Sequence, residues 1–219
     1  MMLSPSKEAT PPVPTRIDHV LIADMVSASA RVLDIGCGNG ELLALLAERR
    51  RVDGRGLEIS REGVNLCVAR GLSVIQGDAD YDLDNYPDGA FDYAILSSTI
   101  QATARPKHVL EQLLRIGRHA IVSFPNFGHW YIRTQFFLHG KMPVTGSLPY
   151  SWYDSPNIHL CSIKDFTALC AQMSARVERV VALNETGAVL GLGMPGNLQN
   201  LMATQAVFLL SRDGHPPRV

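Results

Sequence analysis

No apolar run in this chain approaches the ~18 residues that a membrane-spanning helix needs, which argues against a helical channel, carrier or anchor. The first residues lack the apolar core of a secretory signal, so the expected location is the cytoplasm, away from membranes. An excess of either charge is missing as well. Twenty Lys and Arg stand against 21 Asp and Glu, for a formal net charge of -1. That is too little positive field for a nucleic-acid partner. Cysteine is sparse: Cys37, Cys67, Cys161 and Cys170 form no C-x-x-C pair, and they read as reduced thiols rather than disulfides or zinc ligands. No His, Asp and Glu cluster has metal-ligand spacing, and no metal site is expected. A G-x-S-x-G nucleophile elbow is absent, so acyl transfer through such a serine is not this chain's chemistry.

What remains is an ordinary globular composition, 46% hydrophobic and 19% charged, over 219 residues. That suits one α/β domain with a sizeable core. The chain is organised around Arg31-Val32-Leu33-Asp34-Ile35-Gly36-Cys37-Gly38-Asn39-Gly40. Val32, Leu33 and Ile35 suit a short buried strand. The glycines that follow admit positive φ and let a ligand approach where a Cβ would collide. From Glu41 the leucines recur at helical spacing, and the first N–H groups of that helix point over the turn. The spacing is G-x-G-x-G, not the G-x-G-x-x-G of dinucleotide enzymes. It also lacks the Lys-Ser/Thr of a triphosphate loop.

Two acids sharpen this reading. Val52 to Ile59 reads as a second strand, and its Glu58 stands 22 residues after Gly36, where a βαβ unit sets an acid against ribose hydroxyls. Leu72 to Gln76 reads as a third strand, running into Gly77-Asp78-Ala79, and an acid there can accept from an exocyclic adenine amine. Glycine turn, ribose acid and adenine acid in this order resemble class I S-adenosylmethionine (SAM) methyltransferases. That resemblance implies a Rossmann-like α/β fold with a seven-stranded, mostly parallel sheet, an antiparallel last strand and helices on both faces. It also implies SAM, or its demethylated product S-adenosyl-L-homocysteine, as cofactor. The residues expected to hold it are Asp34, Gly36, Cys37, Gly38, Glu58, Ile59, Gly77, Asp78, Ala79 and Ser97. Asp34 would help hold the glycine loop and face the methionine end.

Along the chain, residues 1–14 are proline-rich and read as a disordered tail, 15–212 as the single domain and 213–219 as a second tail. Helices are expected over 18–27, 40–50, 60–70 with Ser60 as cap, 106–115, 129–139 and 164–174. Further strands are expected at 91–96, 120–124, 177–183 and 203–210. The Gly- and Asn-rich link 184–200 reads as a mobile loop. Arg49-Arg50-Arg51 reads as a solvated helix end favoured by the helix dipole.

The unusual part is the insert at 125–162, where a plain connection needs only a few residues. From Phe124 to Tyr153 lie nine of the fifteen aromatic residues, both tryptophans included. The insert starts from a strand's carboxyl end, where open α/β sheets bind ligands, so it is expected to roof the site or to meet a partner. Three of its stretches, Ser123-Phe124-Pro125-Asn126-Phe127-Gly128-His129-Trp130, Met142-Pro143-Val144-Thr145 and Pro149-Tyr150-Ser151-Trp152-Tyr153-Asp154-Ser155-Pro156-Asn157-Ile158-His159-Leu160-Cys161, resemble the MetW family of bacterial methionine biosynthesis. The resemblance runs from about Arg16 to Arg212. It implies association with MetX, a homoserine O-acyltransferase whose activity MetW supports, and it establishes no methyl acceptor.

Methyl transfer asks little of a protein beyond in-line placement and sometimes a base. Ser97-Ser98-Thr99-Ile100-Gln101 follows the fourth strand in place of the Asn/Asp-Pro-Pro-Tyr/Phe of enzymes that methylate DNA or protein amide nitrogens, which argues against those substrates. The acceptor-side candidates are Gln101, Asn126, His129, Tyr153 and His159. Three functions are open: a SAM-binding regulatory subunit for the acyltransferase, a working methyltransferase on a small-molecule acceptor, or a degenerate fold that binds no nucleotide and acts only as an interaction module.

Overall fold

The computed structural model describes residues 16–146, 148–192 and 196–212, so both expected tails lie outside the described residues. Among those described, eight strands build one sheet. They are β1 (Arg31–Ile35), β2 (Asp53–Glu58), β3 (Ser73–Gln76), β4 (Phe91–Ser97), β5 (Gly117–Pro125), β6 (Ala175–Leu183), β7 (Val189–Leu192) and β8 (Gln205–Arg212). Their spatial order is β3-β2-β1-β4-β5-β8-β6-β7. The first five run parallel, while β8 lies antiparallel between β5 and β6.

The seven-stranded sheet expected from the sequence therefore gains one strand. The link expected to be a loop turns back at Asn184, whose Oδ1 accepts from the N–H groups of Thr186 (3.0 Å) and Ala188 (2.8 Å). Gly187 takes φ +79° to close that turn. β7 then pairs antiparallel with β6, and a short helix α7 (Asn197–Met202) precedes β8. Four residues are too few to show a period, so β7 carries no signature of its own.

Helices α1 (Ile17–Met25), α2 (Glu41–Arg50) and α3 (Arg61–Ala69) pack on one side of the sheet. Helices α4 (Pro106–Ile116) and α6 (Ile163–Gln172) pack on the other, and α5 (Trp130–His139) belongs to the insert. On the α1/α2 side, Ile22, Leu42 and Leu46 meet Val32, Ile95 and Ile121 of the sheet. On the α4/α6 side, Phe124, Phe166 and Phe208 form a ring trio with centroids 4.7, 5.7 and 4.8 Å apart. Each such buried ring contributes about 1.5–3 kcal/mol over an exposed one. Local signals set the helix ends. Ser60 caps α3 by accepting from the Gly63 N–H, and Pro106 opens α4. Ser162 and Asp165 form a reciprocal capping box at α6. Arg50 is more than a solvated helix end: its Nε donates to the Ala23 carbonyl (2.7 Å) and its Nη2 to Asp24 (3.1 Å), tying α1 to α2.

Because β1 to β5 are parallel, their carboxyl ends share one edge. That edge carries Ile35, Glu58, Gln76, Ser97 and Pro125. The strand order reverses between β1 and β4, which opens a crevice there.

Candidate functional site

The turn after β1 is built for close approach. Gly36 has φ +68°, and a Cβ there would stand 2.7 Å from the Thr99 side chain. Gly38 has φ +55° with nothing within 4 Å of where its Cβ would be, so space lies open above it. Glu58, at the end of β2, is 8% exposed. Its Oε2 accepts from the Gly38 N–H and its Oε1 from the Ser60 N–H, both at 2.8 Å. This fixes the carboxylate over the glycine turn and leaves further lone pairs for another donor.

Asp34 is the least ordinary residue of the site. It is 1% exposed, and neither carboxylate oxygen has a hydrogen-bond partner among the described residues. Burial pushes its carboxyl up to about 8, the Glu58 charge adds to the rise, and Arg16 opposes it. A carboxyl kept neutral by lack of a partner is poised to receive a cationic group. Cys37 and Cys67 lie beneath, with sulfurs 4.0 Å apart, and Cys67 Sγ donates to the Gly38 carbonyl at 3.3 Å. Burial raises both thiols above their ordinary value, which favours the protonated form, and they serve as packing.

Beside this turn, the sheet register pairs Glu58 with Gln76 and sets Asp78 two residues further on. Asp78 Oδ1 accepts from the Asp80 N–H (2.8 Å), and the Asp78 N–H donates to Asp82 Oδ2 (2.7 Å). Asp80 is buried, and its two oxygens accept from the N–H groups of Ala104 and Arg105, both at 2.8 Å. The turn after β3 is thus tied to the loop after β4. Ile59 stands 63% exposed at the rim, and Ala79 packs on the main core. Ser97 Oγ lies 3.2 Å from Ser123 Oγ, within hydrogen-bond reach across β4 and β5.

The acceptor-side candidates scatter. Gln101 is 6% exposed and lines a cleft of about 830 Å³ beside the strand ends. Asn126 does not line it as a free group: it is 0% exposed and fully spent. Its Nδ2 donates to the carbonyls of Asn200 and Ala203, while its Oδ1 accepts from the N–H groups of Gly128 and Ile163. It pins the insert's first turn to α6 and α7. His129 is buried as the cap of α5, its Nδ1 accepting from the Tyr131 N–H at 3.4 Å. Burial pushes its pKa down, although Glu185 and a backbone hydrogen bond to Met202 work against the fall. Tyr153 and His159 are exposed, and the N–H groups of Ile158 and His159 both donate to the Gln101 carbonyl at 2.9 Å. The insert meets Gln101 through its backbone and lines the cleft with Tyr150, while other rings turn outward: Phe137 is 86% exposed and Trp152 77%.

Reading the sequence missed the groups that α1 brings to the cleft. The Arg16 guanidinium donates from Nε and Nη2 to the Asp18 carboxylate and from Nη2 to Ser98 Oγ (3.0 Å). Burial pushes the Asp18 carboxyl up, but Arg16, His19 and Gln205 outweigh it and hold the group below its ordinary value. No motif marks these residues. Their role comes from α1 packing across the strand ends. Among the described residues no group of three or more His, Cys, Asp or Glu could hold a metal, and no helix is long and apolar enough to cross a membrane.

Solved structures share this architecture. A SAM-dependent methyltransferase from Thermotoga maritima superposes with a TM-score of 0.64 at 17% identity, over 89% of this chain and 87% of that one. The [4+2]-cyclase SpnF gives 0.62 at 15%, over 89% and 80%. The fold is thus that of the class I SAM-dependent methyltransferases. Residues 16–210 match the family described as methionine biosynthesis protein MetW, and the chain belongs to that family. It is 34% identical over 220 residues to the bifunctional methionine biosynthesis protein MetXA/MetW of Rhodopirellula baltica, covering 94% of this chain and 35% of that protein. It is also 29% identical over 93 residues to ajmaline N-methyltransferase of Rauvolfia serpentina, covering 39% of this chain and 31% of that enzyme. The matched stretch thus spans about a third of either relative.

Proposed function

We propose that this chain is a SAM-binding protein of methionine biosynthesis that associates with the homoserine O-acyltransferase MetX and supports its activity. The observation that carries the cofactor reading is Asp34, a buried carboxyl without a partner among the described residues, beside an open glycine turn. Free SAM bears a sulfonium, an ammonium and one carboxylate, for a net charge of +1, and two neighbouring carboxylates suit it. In this reading Glu58 accepts from the ribose hydroxyls and Asp78 from the adenine amine. Ile59, Gly77 and Ala79 flank the base. Gly36, Cys37, Gly38 and Ser97 border the methionine end, which Asp34 faces. The bound cofactor would supply an electrophilic methyl group. What the chain itself supplies is a charged, water-restricted seat for it.

The partnership rests on the Rhodopirellula relative, whose name joins MetXA and MetW in one protein. The outward rings of the insert supply a surface for such a partner. Apolar patches of this kind mark interaction sites when they are contiguous. Since SAM is made from methionine, its occupancy can tune the acyltransferase through a coupling of about 1–3 kcal/mol. Titrating SAM into the chain by calorimetry tests the cofactor, and heat without saturation would remove it. Assaying the acyltransferase with and without this chain across SAM concentrations tests the coupling. An unchanged rate in every condition removes the regulatory role.

A second reading, methyl transfer to a small acceptor, is favoured by the cleft of about 830 Å³ at the strand ends. Transfer of label from methyl-labelled SAM to a component of cell extract would establish it.

A further inference from the structure

The cleft of about 830 Å³ lies outside the cofactor seat and has a charge pattern of its own. Among the described residues that line it, the one Lys or Arg is Arg16, whose fork is held in place rather than free to swing. Nε and Nη2 are committed to Asp18, and Nη2 also to Ser98. Asp18 is itself locked, 4% exposed in its side chain and further bonded by Gln205 Nε2 at 3.0 Å. The Arg16 side chain is 45% exposed, and the two N–H groups of Nη1 take no part in these bonds. A fixed fork with a spare donor pair is a seat for a carboxylate.

Gln101 and Glu185 are among the side-chain acceptors that line the same cleft. Gln101 donates from Nε2 to the Ser98 carbonyl at 2.7 Å, but its buried Oε1 has no partner among the described residues. An unmet buried acceptor is costly, and a ligand donor that reached it would recover that cost. Glu185 is exposed on the β6–β7 turn. That turn is seated against α1, since a Cβ on Gly187 would lie 1.8 Å from the Ile17 side chain. Leu183 and Pro125 add apolar wall between the charged ends.

We infer that this cleft binds a small molecule carrying a free α-amino-acid group. Arg16 takes its carboxylate, Gln101 and Glu185 take its ammonium, and a short aliphatic chain lies on Leu183 and Pro125. A plain anion would meet Glu185 and leave Gln101 unmet. A plain amine would leave the Arg16 donors unused. The inference does not require SAM in the adjoining seat.

The test titrates the full chain by calorimetry with L-2-aminobutyrate, with butyrate and with propylamine, which lack the ammonium and the carboxylate respectively. L-2-aminobutyrate is expected to bind at least tenfold tighter than either fragment. Arg16→Gln is expected to weaken it at least tenfold. Because Arg16 also supports buried Asp18, Glu185→Gln on the exposed turn provides a second variant, with a smaller weakening expected and circular dichroism confirming the fold. Equal affinities for the three compounds, no binding of L-2-aminobutyrate, or no effect of either variant in folded protein would overturn the inference. A parallel SAM titration separates the two seats: aminobutyrate binding without SAM binding upholds this cleft and removes only the cofactor reading.

Discussion

Asp34→Asn tests the physical heart of the site. The Asp34 carboxyl is 1% exposed, and burial, aided by Glu58, lifts it from its ordinary 3.8 to about 8. Between those values the folded protein holds a proton that the unfolded chain has released. Stability must then fall as pH rises through that window, by about 1.4 kcal/mol per unit. From pH 5 to pH 7 the loss is about 2.7 kcal/mol. Asn has nearly the same shape and no titration, so the variant escapes this loss. Burial lowers the His19 pKa, which works in the opposite direction, but His19 is present in both proteins and cancels in their difference. Urea unfolding of both proteins at pH 5, 6 and 7, followed by far-ultraviolet circular dichroism, reads the effect. The variant should gain on the parent by about 2.7 kcal/mol between pH 5 and pH 7. Parallel pH profiles would refute the claim that this carboxyl is buried without a partner. The same proton should appear in binding. Below pH 7.5, where the ligand's ammonium stays charged, SAM affinity of the parent should rise about tenfold per pH unit, and that slope should vanish in the variant.

Three further outcomes follow from the packing. Gly36→Ala meets both a positive φ and the Thr99 side chain, whereas Gly38→Ala meets only the φ. Urea midpoints should show the first to be the costlier, by about 1–3 kcal/mol, and equal midpoints would contradict this. Asn126→Ala strips four hydrogen bonds from a fully buried hub. It should cost about 3 kcal/mol or more in stability while leaving SAM affinity in the folded fraction unchanged. Phe137→Ser with Trp152→Ser should leave the melting temperature within about 2 °C, since both rings stand in solvent. The same pair should weaken capture of the acyltransferase at least tenfold in surface-binding assays.

The glycine turn, Glu58 and the strand–helix alternation were legible because each depends on short-range rules: which residues tolerate positive φ, which alternate in a buried strand, which cap a helix. The register that pairs Glu58 with Gln76 follows once β2 and β3 are parallel neighbours, so the expected order of acids survives in space. The aromatic insert was visible as a departure from normal loop length and composition. Its direction was not. Whether Trp152 covers a ligand or faces water depends on the backbone that anchors Ile158 and His159 to Gln101, a contact between segments more than fifty residues apart.

Polar residues were the hardest to place, for a related reason. Asn126 and Gln101 have the same functional group, and each follows the carboxyl end of a parallel strand. One is saturated by four partners drawn from the insert and from α6 and α7, while the other keeps a buried oxygen unmet. Arg16 and Asp18 carry no motif at all, yet α1 carries them to the mouth of the cleft. The amino-acid sequence alone decided the architecture and the shape of the glycine turn beside Glu58, because hydrophobic period and glycine placement act over a few residues. Only the tertiary structure decided which charges go unpaired and where, because a hydrogen bond's partner is chosen by packing across the whole chain.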